Sequence, residues 1–149
     1  MDPEVQLESF IARYSDAVAA QVRACRARMR ARLPGALELV YDNYNALAIG
    51  YGPTERQADL VFSIAAYPRW ISLFIVGGPH LRDPMGLLKG EGGVVRHIVL
   101  DAPERLDDPQ VGALMDQALA RAPTPLDPAQ PFRTIIKSVS AKQRPRRPA

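Results

Sequence analysis

Few residues in this chain of 149 have the type and spacing that covalent chemistry needs. Nucleophilic catalysis requires a thiol or hydroxyl held against a base. The chain has one cysteine, Cys25, and two histidines, His80 and His97, and no spacing couples them to one another or to a carboxylate. Cys25 falls on an apolar helical stripe, where a thiol reads as a small packed hydrophobe. His97 reads as a structural histidine, and His80 with Asp83 makes a poor metal motif. These residues imply no cofactor, no metal and no catalytic constellation, so an enzyme is not expected.

Recognition chemistry is better supplied. Tyr41, Tyr44, Tyr67 and Trp70 offer flat rings with polar tips, and Lys89 and Arg96 offer cations. Glycines in the loop from Gly86 to Gly93, GLLKGEGG, can expose backbone N–H groups to an anion. The spacing matches neither G-x-x-x-x-G-K-[ST] nor G-x-G-x-x-G, so no nucleotide loop is implied. The plainer reading of the segment is a flexible surface loop. If Arg96 and this loop reach the sheet face that carries Ser63, Ser72, Tyr67 and Trp70, a small polar or anionic ligand could stack on Trp70 and take a charge-assisted bond from Arg96. The competing reading makes Trp70 a core residue and Arg96 a surface ion-pair partner.

The element that must position these groups is the stretch Leu60 to Val76, LVFSIAAYPRWISLFIV, which reads as a central β-hairpin. Its register follows from its own pattern, because a slip of one residue would turn every side chain to the other face. With Tyr67 to Trp70 as the loop, Ala66 faces Ile71, Ile64 faces Leu73 and Phe62 faces Ile75, and one face is wholly apolar. The other face pairs Ala65 with Ser72 and Ser63 with Phe74. Pro68 suits the first central position of a type I turn.

Around this hairpin the spacing predicts one α+β domain over residues 1–140. An antiparallel sheet of about six strands forms it, a meander of four followed by strand, helix, strand, with helices on one face. Asp2-Pro3-Glu4 starts an N-terminal helical region whose stripe runs from Leu7 to Leu33, either as one bent helix or as two with Ser15 capping the second. Arg23, Arg26, Arg28, Arg30 and Arg32 crowd it, as a solvated face or as a surface for phosphates or acidic partners. Glu38 to Tyr41 and Ala46 to Tyr51 read as strands joined by a turn at Asp42 to Asn45, Val94 to Leu100 as the fifth strand, and Phe132 to Ser140 as the last. Asp107-Asp108-Pro109 starts a later helix with Val111, Leu114, Met115, Ala118 and Leu119 buried.

Residues 141–149 read as a disordered basic tail. The formal charge is +3; Lys142, Arg144, Arg146 and Arg147 account for four positive charges, so the body before them is near neutral. One cysteine is compatible with a reducing compartment. The acidic N-terminus lacks a signal-peptide pattern, and no apolar run approaches the roughly 18 residues that span a bilayer. A cytoplasmic chain without membrane contact is expected.

Four stretches together resemble the bacterial YdhG-like family, a domain of unknown function. They are RLPGALELVYDNYNALAIGYGPTE (Arg32 to Glu55), SIAAYPRWISLF (Ser63 to Phe74), GLLKGEGGVVRHIVL (Gly86 to Leu100) and SVSAKQRPRRP (Ser138 to Pro148). The family commonly carries Lys where this chain has Gly93, which weakens an anion role for the loop. The resemblance implies helices on one side of an antiparallel sheet. Some relatives are labelled frataxin-like iron chaperones, although no ligand motif carries over. The expected function is a non-enzymatic module binding a small polar or anionic ligand. The alternatives are a nucleic-acid-associated protein using the arginine-rich helix and basic tail, and an iron chaperone.

Overall fold

A computed structural model describes residues 1–148. Six strands form one sheet: β1 (Leu37–Asp42), β2 (Leu47–Gly52), β3 (Phe62–Ala66), β4 (Ile71–Val76), β5 (Val95–Leu100) and β6 (Thr134–Val139), in spatial order β5-β4-β3-β2-β1-β6. Helices α1 (Pro3–Ile11), α2 (Asp16–Arg32) and α3 (Pro109–Arg121) complete the α+β domain. The first five strands form an antiparallel meander, one strand longer than expected, because β5 returns beside β4 after the long loop.

The last strand departs from a purely antiparallel sheet, since β6 joins the β1 edge in parallel. The alternation of the meander explains this. Strands β1, β3 and β5 run the same way, α3 carries the chain back, and the next strand therefore resumes that direction.

The hairpin register is as read from its pattern, with Ala66 opposite Ile71, Ile64 opposite Leu73 and Phe62 opposite Ile75. These six side chains are buried and join the core beneath the helices. The N-terminal region is two helices, and Ser15 caps the second by accepting from the Val18 N–H at 3.3 Å. The break between them lets Tyr14 turn inward. Its hydroxyl donates to the Ala66 carbonyl at 2.6 Å and accepts from the Leu47 N–H at 3.1 Å, closing the β2–β3 ladder at the end away from its own connection, beside the β3–β4 turn. Cys25 is a core residue, and burial pushes its thiol up to about 11.

On β1 the alternation sends Glu38, Val40 and Asp42 under the helices, so two acids enter the core face. Glu38 is fully buried. Arg26 of α2 grips it bidentately at 2.9 and 2.8 Å, while Tyr51 and Thr134 donate hydroxyls at 2.7 and 2.8 Å. Burial, then the Glu38 charge, holds the Tyr51 hydroxyl well above its ordinary 10.0. The opposite sheet face carries Tyr41, Ala48, Ser63, Ala65, Phe74 and Val99. Leu60 covers one end of it closely enough that a Cβ on Gly50 would lie 2.7 Å from the leucine side chain. The other end stays partly open, with Ser63 and Phe74 half-buried and Val99 exposed.

Candidate functional site

The site is built at the turn end of the β3–β4 hairpin. Pro68 fixes one backbone angle of the loop, and the Tyr67 N–H donates to the Trp70 carbonyl at 2.9 Å, closing it. That closure brings the two flanking rings together. Tyr67 and Trp70 stack with centroids 4.5 Å apart and planes 15° from parallel. Trp70 is 44% exposed, so it is not the core residue that the competing reading made it.

The second wall is the C-terminal segment. Residues 141–148 are not the expected disordered tail; they dock under the β1–β2 turn. The Ser140 and Arg144 N–H groups donate to the Asp42 and Tyr44 carbonyls, both at 2.8 Å, and the Gln143 side chain donates to the Asp42 carbonyl at 3.0 Å. Arg146 enters the core, where it bonds the Asp42 carboxylate at 2.9 Å with the two side chains only 2% and 1% exposed. Its guanidinium also reaches the Asn43 and Tyr44 carbonyls. Composition cannot reveal such docking, because the anchor is a charge paired with an inward-facing acid rather than an apolar side chain. Ala149 lies outside the described residues.

With Arg146 turned inward, Arg144 and Arg147 face outward. Arg144 sits 5.6 Å from the centroid of the Tyr44 ring, and Arg147 donates to the Arg13 carbonyl at 3.2 Å. These two arginines and Arg69 border a cleft of about 770 Å³ whose floor includes Tyr67 and Trp70, and among the described residues no carboxylate side chain lines it. None of the three forms a salt bridge among the described residues. An open cleft with stacked rings and unpaired guanidinium groups can hold a flat anion.

The structure therefore brings together some of the expected residues and separates others. Tyr67 and Trp70 form the cleft, and Tyr44, 48% exposed, lies beside it under Arg144. Tyr41 lies farther along the open face, lining a depression of about 720 Å³ with Arg56 and Lys137, where its buried hydroxyl has no partner. Arg96 and Lys89 do not join the cleft. Arg96 pairs with Ile75, five residues along β4 from Trp70, roughly 16 Å at strand rise. Its neighbour in the ladder is an inward-facing residue, so it stands on the face opposite Ser63 and Phe74. Its guanidinium bonds the Gly92 carbonyl at 2.9 Å, and the Lys89 ammonium bonds the Gly86 carbonyl at 3.3 Å. Both cations close their own loop.

The arginine-rich helix is also engaged internally. Arg23 pairs with Glu8, Arg26 with Glu38 and Glu4, Arg28 with Asp107 and Glu104, Arg30 with Glu4, and Arg32 with Asp116. These side chains tie α2 to α1, β1 and the segment around α3. Sequence reasoning missed Arg69, Arg144 and Arg147 as site residues; their signal was Arg-Pro-Arg-Arg in the tail and Arg69 beside Trp70. Among the described residues no three His, Cys, Asp or Glu side chains gather where one metal ion could be held, and no helix is long and apolar enough to cross a membrane. Comparison with known proteins found no matching family model, no matching curated protein and no matching solved structure.

Proposed function

We propose that this chain is a cytoplasmic binding module for a small anion that carries a flat ring, held in the cleft between the Tyr67–Trp70 loop and the C-terminal segment. One observation carries the reading: a stacked Tyr–Trp pair with its Trp exposed shares a cleft with Arg69, Arg144 and Arg147, and among the described residues no carboxylate side chain lines it. The ring stacks on the aromatic floor, and the anionic group takes charge-assisted hydrogen bonds from the arginines. A phosphorylated nucleoside has both features. A YdhG-like assignment rests on the four quoted stretches and is compatible with this role.

Trp70 is the only tryptophan, so its emission reports the cleft directly. Titration with AMP should change it, whereas adenosine or inorganic phosphate alone should act only at much higher concentration. Arg144→Ala with Arg147→Ala should weaken AMP binding on the order of tenfold or more, since hydrogen bonds to charged groups contribute about 1.5 to 3 kcal/mol each. Emission unchanged by millimolar AMP, or a double variant that binds as tightly as the native chain, would defeat the proposal.

A further inference from the structure

The cleft is one end of a longer trough across the open sheet face. It shares Asn45 and Tyr67 with a depression of about 540 Å³ floored by Ala48, Ser63, Ala65 and Phe74. That depression in turn shares Asn43 with the one bordered by Tyr41, Arg56 and Lys137. Small side chains on β2 and β3 keep the middle low, and aromatic rings recur along it: Trp70 and Tyr67, then Tyr44 and Phe74, then Tyr41. Cations stand at both ends, with Arg69, Arg144 and Arg147 at one and Arg56 and Lys137 at the other. None of the five forms a salt bridge among the described residues, and the one carboxylate side chain among the described residues lining the trough, Glu55, is bridged by Arg133 at 3.8 Å.

From Trp70, immediately before the start of β4, to Lys137 on β6 the trough crosses four inter-strand spacings, about 19 Å. At the stacked rise of about 3.4 Å per nucleotide, that length holds about five or six nucleotides. We infer that the trough binds single-stranded nucleic acid, with bases on the aromatic rings and the backbone phosphates bridging the two cationic ends. A strand recognised by stacking and charge needs no base-reading motif. A duplex hides its base faces and has no use for the recurring rings. This inference rests on the anion reading of the cleft and extends it along the sheet.

The test uses AMP and fluorescein-labelled oligoadenylates of three, six and twelve nucleotides, with a twelve-base-pair duplex for comparison. Affinity should rise at least tenfold from AMP to the hexamer and change little beyond it. Five phosphate-contacting cations predict a log–log salt slope of about −3.5, falling to about −2.1 when Arg56→Ala and Lys137→Ala remove two of them. The same pair of substitutions should leave AMP binding unchanged. Trp70→Ala should weaken the hexamer by about fivefold to a hundredfold.

A hexamer no tighter than AMP, an Arg56→Ala/Lys137→Ala variant that binds it normally, or equal binding of the duplex would overturn the trough and leave the cleft reading standing. Failure of AMP and hexamer alike would overturn both. Light scattering runs alongside: a dimer that Phe74→Ser dissociates, with no hexamer binding, would assign the face to a second copy and refute the inference. All these substitutions are at surface or half-buried positions, and thermal melts confirm that each variant is folded.

Discussion

Replacing Arg146 with alanine tests how the C-terminal segment is held. The guanidinium bonds Asp42 at 2.9 Å and two backbone carbonyls, and both side chains are almost fully buried. Removing one partner of a buried ion pair costs about 3 to 5 kcal/mol when the other charge is stranded. Two features lower that figure here. Arg13, 46% exposed, stands 3.4 Å from Asp42 and remains as a counter-ion. The segment is also terminal, so it can lift away and let water reach the carboxylate. A loss of about 2 to 3 kcal/mol follows, which for a domain of this size lowers Tm by about 4 to 12 °C. Thermal melts of the native chain, Arg146→Ala and a chain ending at Ser140 measure it, with hydrogen exchange at the Arg144 amide as the local readout. Because the stranded arginine leaves with the segment, Asp42→Asn should cost far less in the shortened chain than in the full one. Melting points within 1 °C for the native and shortened chains, with the Arg144 amide exchanging at the free-chain rate, would refute the docking argument.

Ile64→Ala should destabilise the domain by about 2 to 5 kcal/mol by denaturant titration, since Ile64 is 2% exposed at the centre of the hairpin. Glu38→Ala should cost about 3 to 5 kcal/mol by the same measurement: Arg26 keeps Glu4 at 3.0 Å, but the buried Tyr51 hydroxyl loses its acceptor along with the broken ion pair. For Cys25, raised from 9.0 to about 11, the stabilisation is complete below pH 9.0 and declines as pH rises toward 11, since the unfolded thiol ionises first. Thiol reagents at neutral pH should therefore label it only at the rate of global unfolding. Tyr51 follows the same sign, its contribution falling away above pH 10.0; Tyr51→Phe should flatten the alkaline end of a stability-against-pH curve.

Local pattern determined a large part of this fold. Strand alternation and Pro68 within a four-residue loop were sufficient to set the β3–β4 register, because a period of two admits only one face for Phe62, Ile64 and Ala66. Helical spacing located α2 and α3, and Ser15 and the Asp-Pro starts marked where helices begin. Tyr67 and Trp70 could be placed beside a turn that has to reach the surface, although only the structure decided between an exposed and a core Trp70.

What only the tertiary structure decided depends on contacts between distant parts of the chain. Arg96 looked available because sequence distance from the hairpin was short, yet pairing with Ile75 put it at the wrong end and on the wrong face. The α2 arginines looked free until their acids arrived from α1, β1 and the region of α3. Asp42 read as a turn residue and Arg146 as part of a solvated tail, although 104 positions apart they form a buried pair. Charge pairing has no period along the sequence: a guanidinium is solvent-facing or core according to which acid the fold delivers to it, and that delivery turned a polar tail into one wall of the cleft.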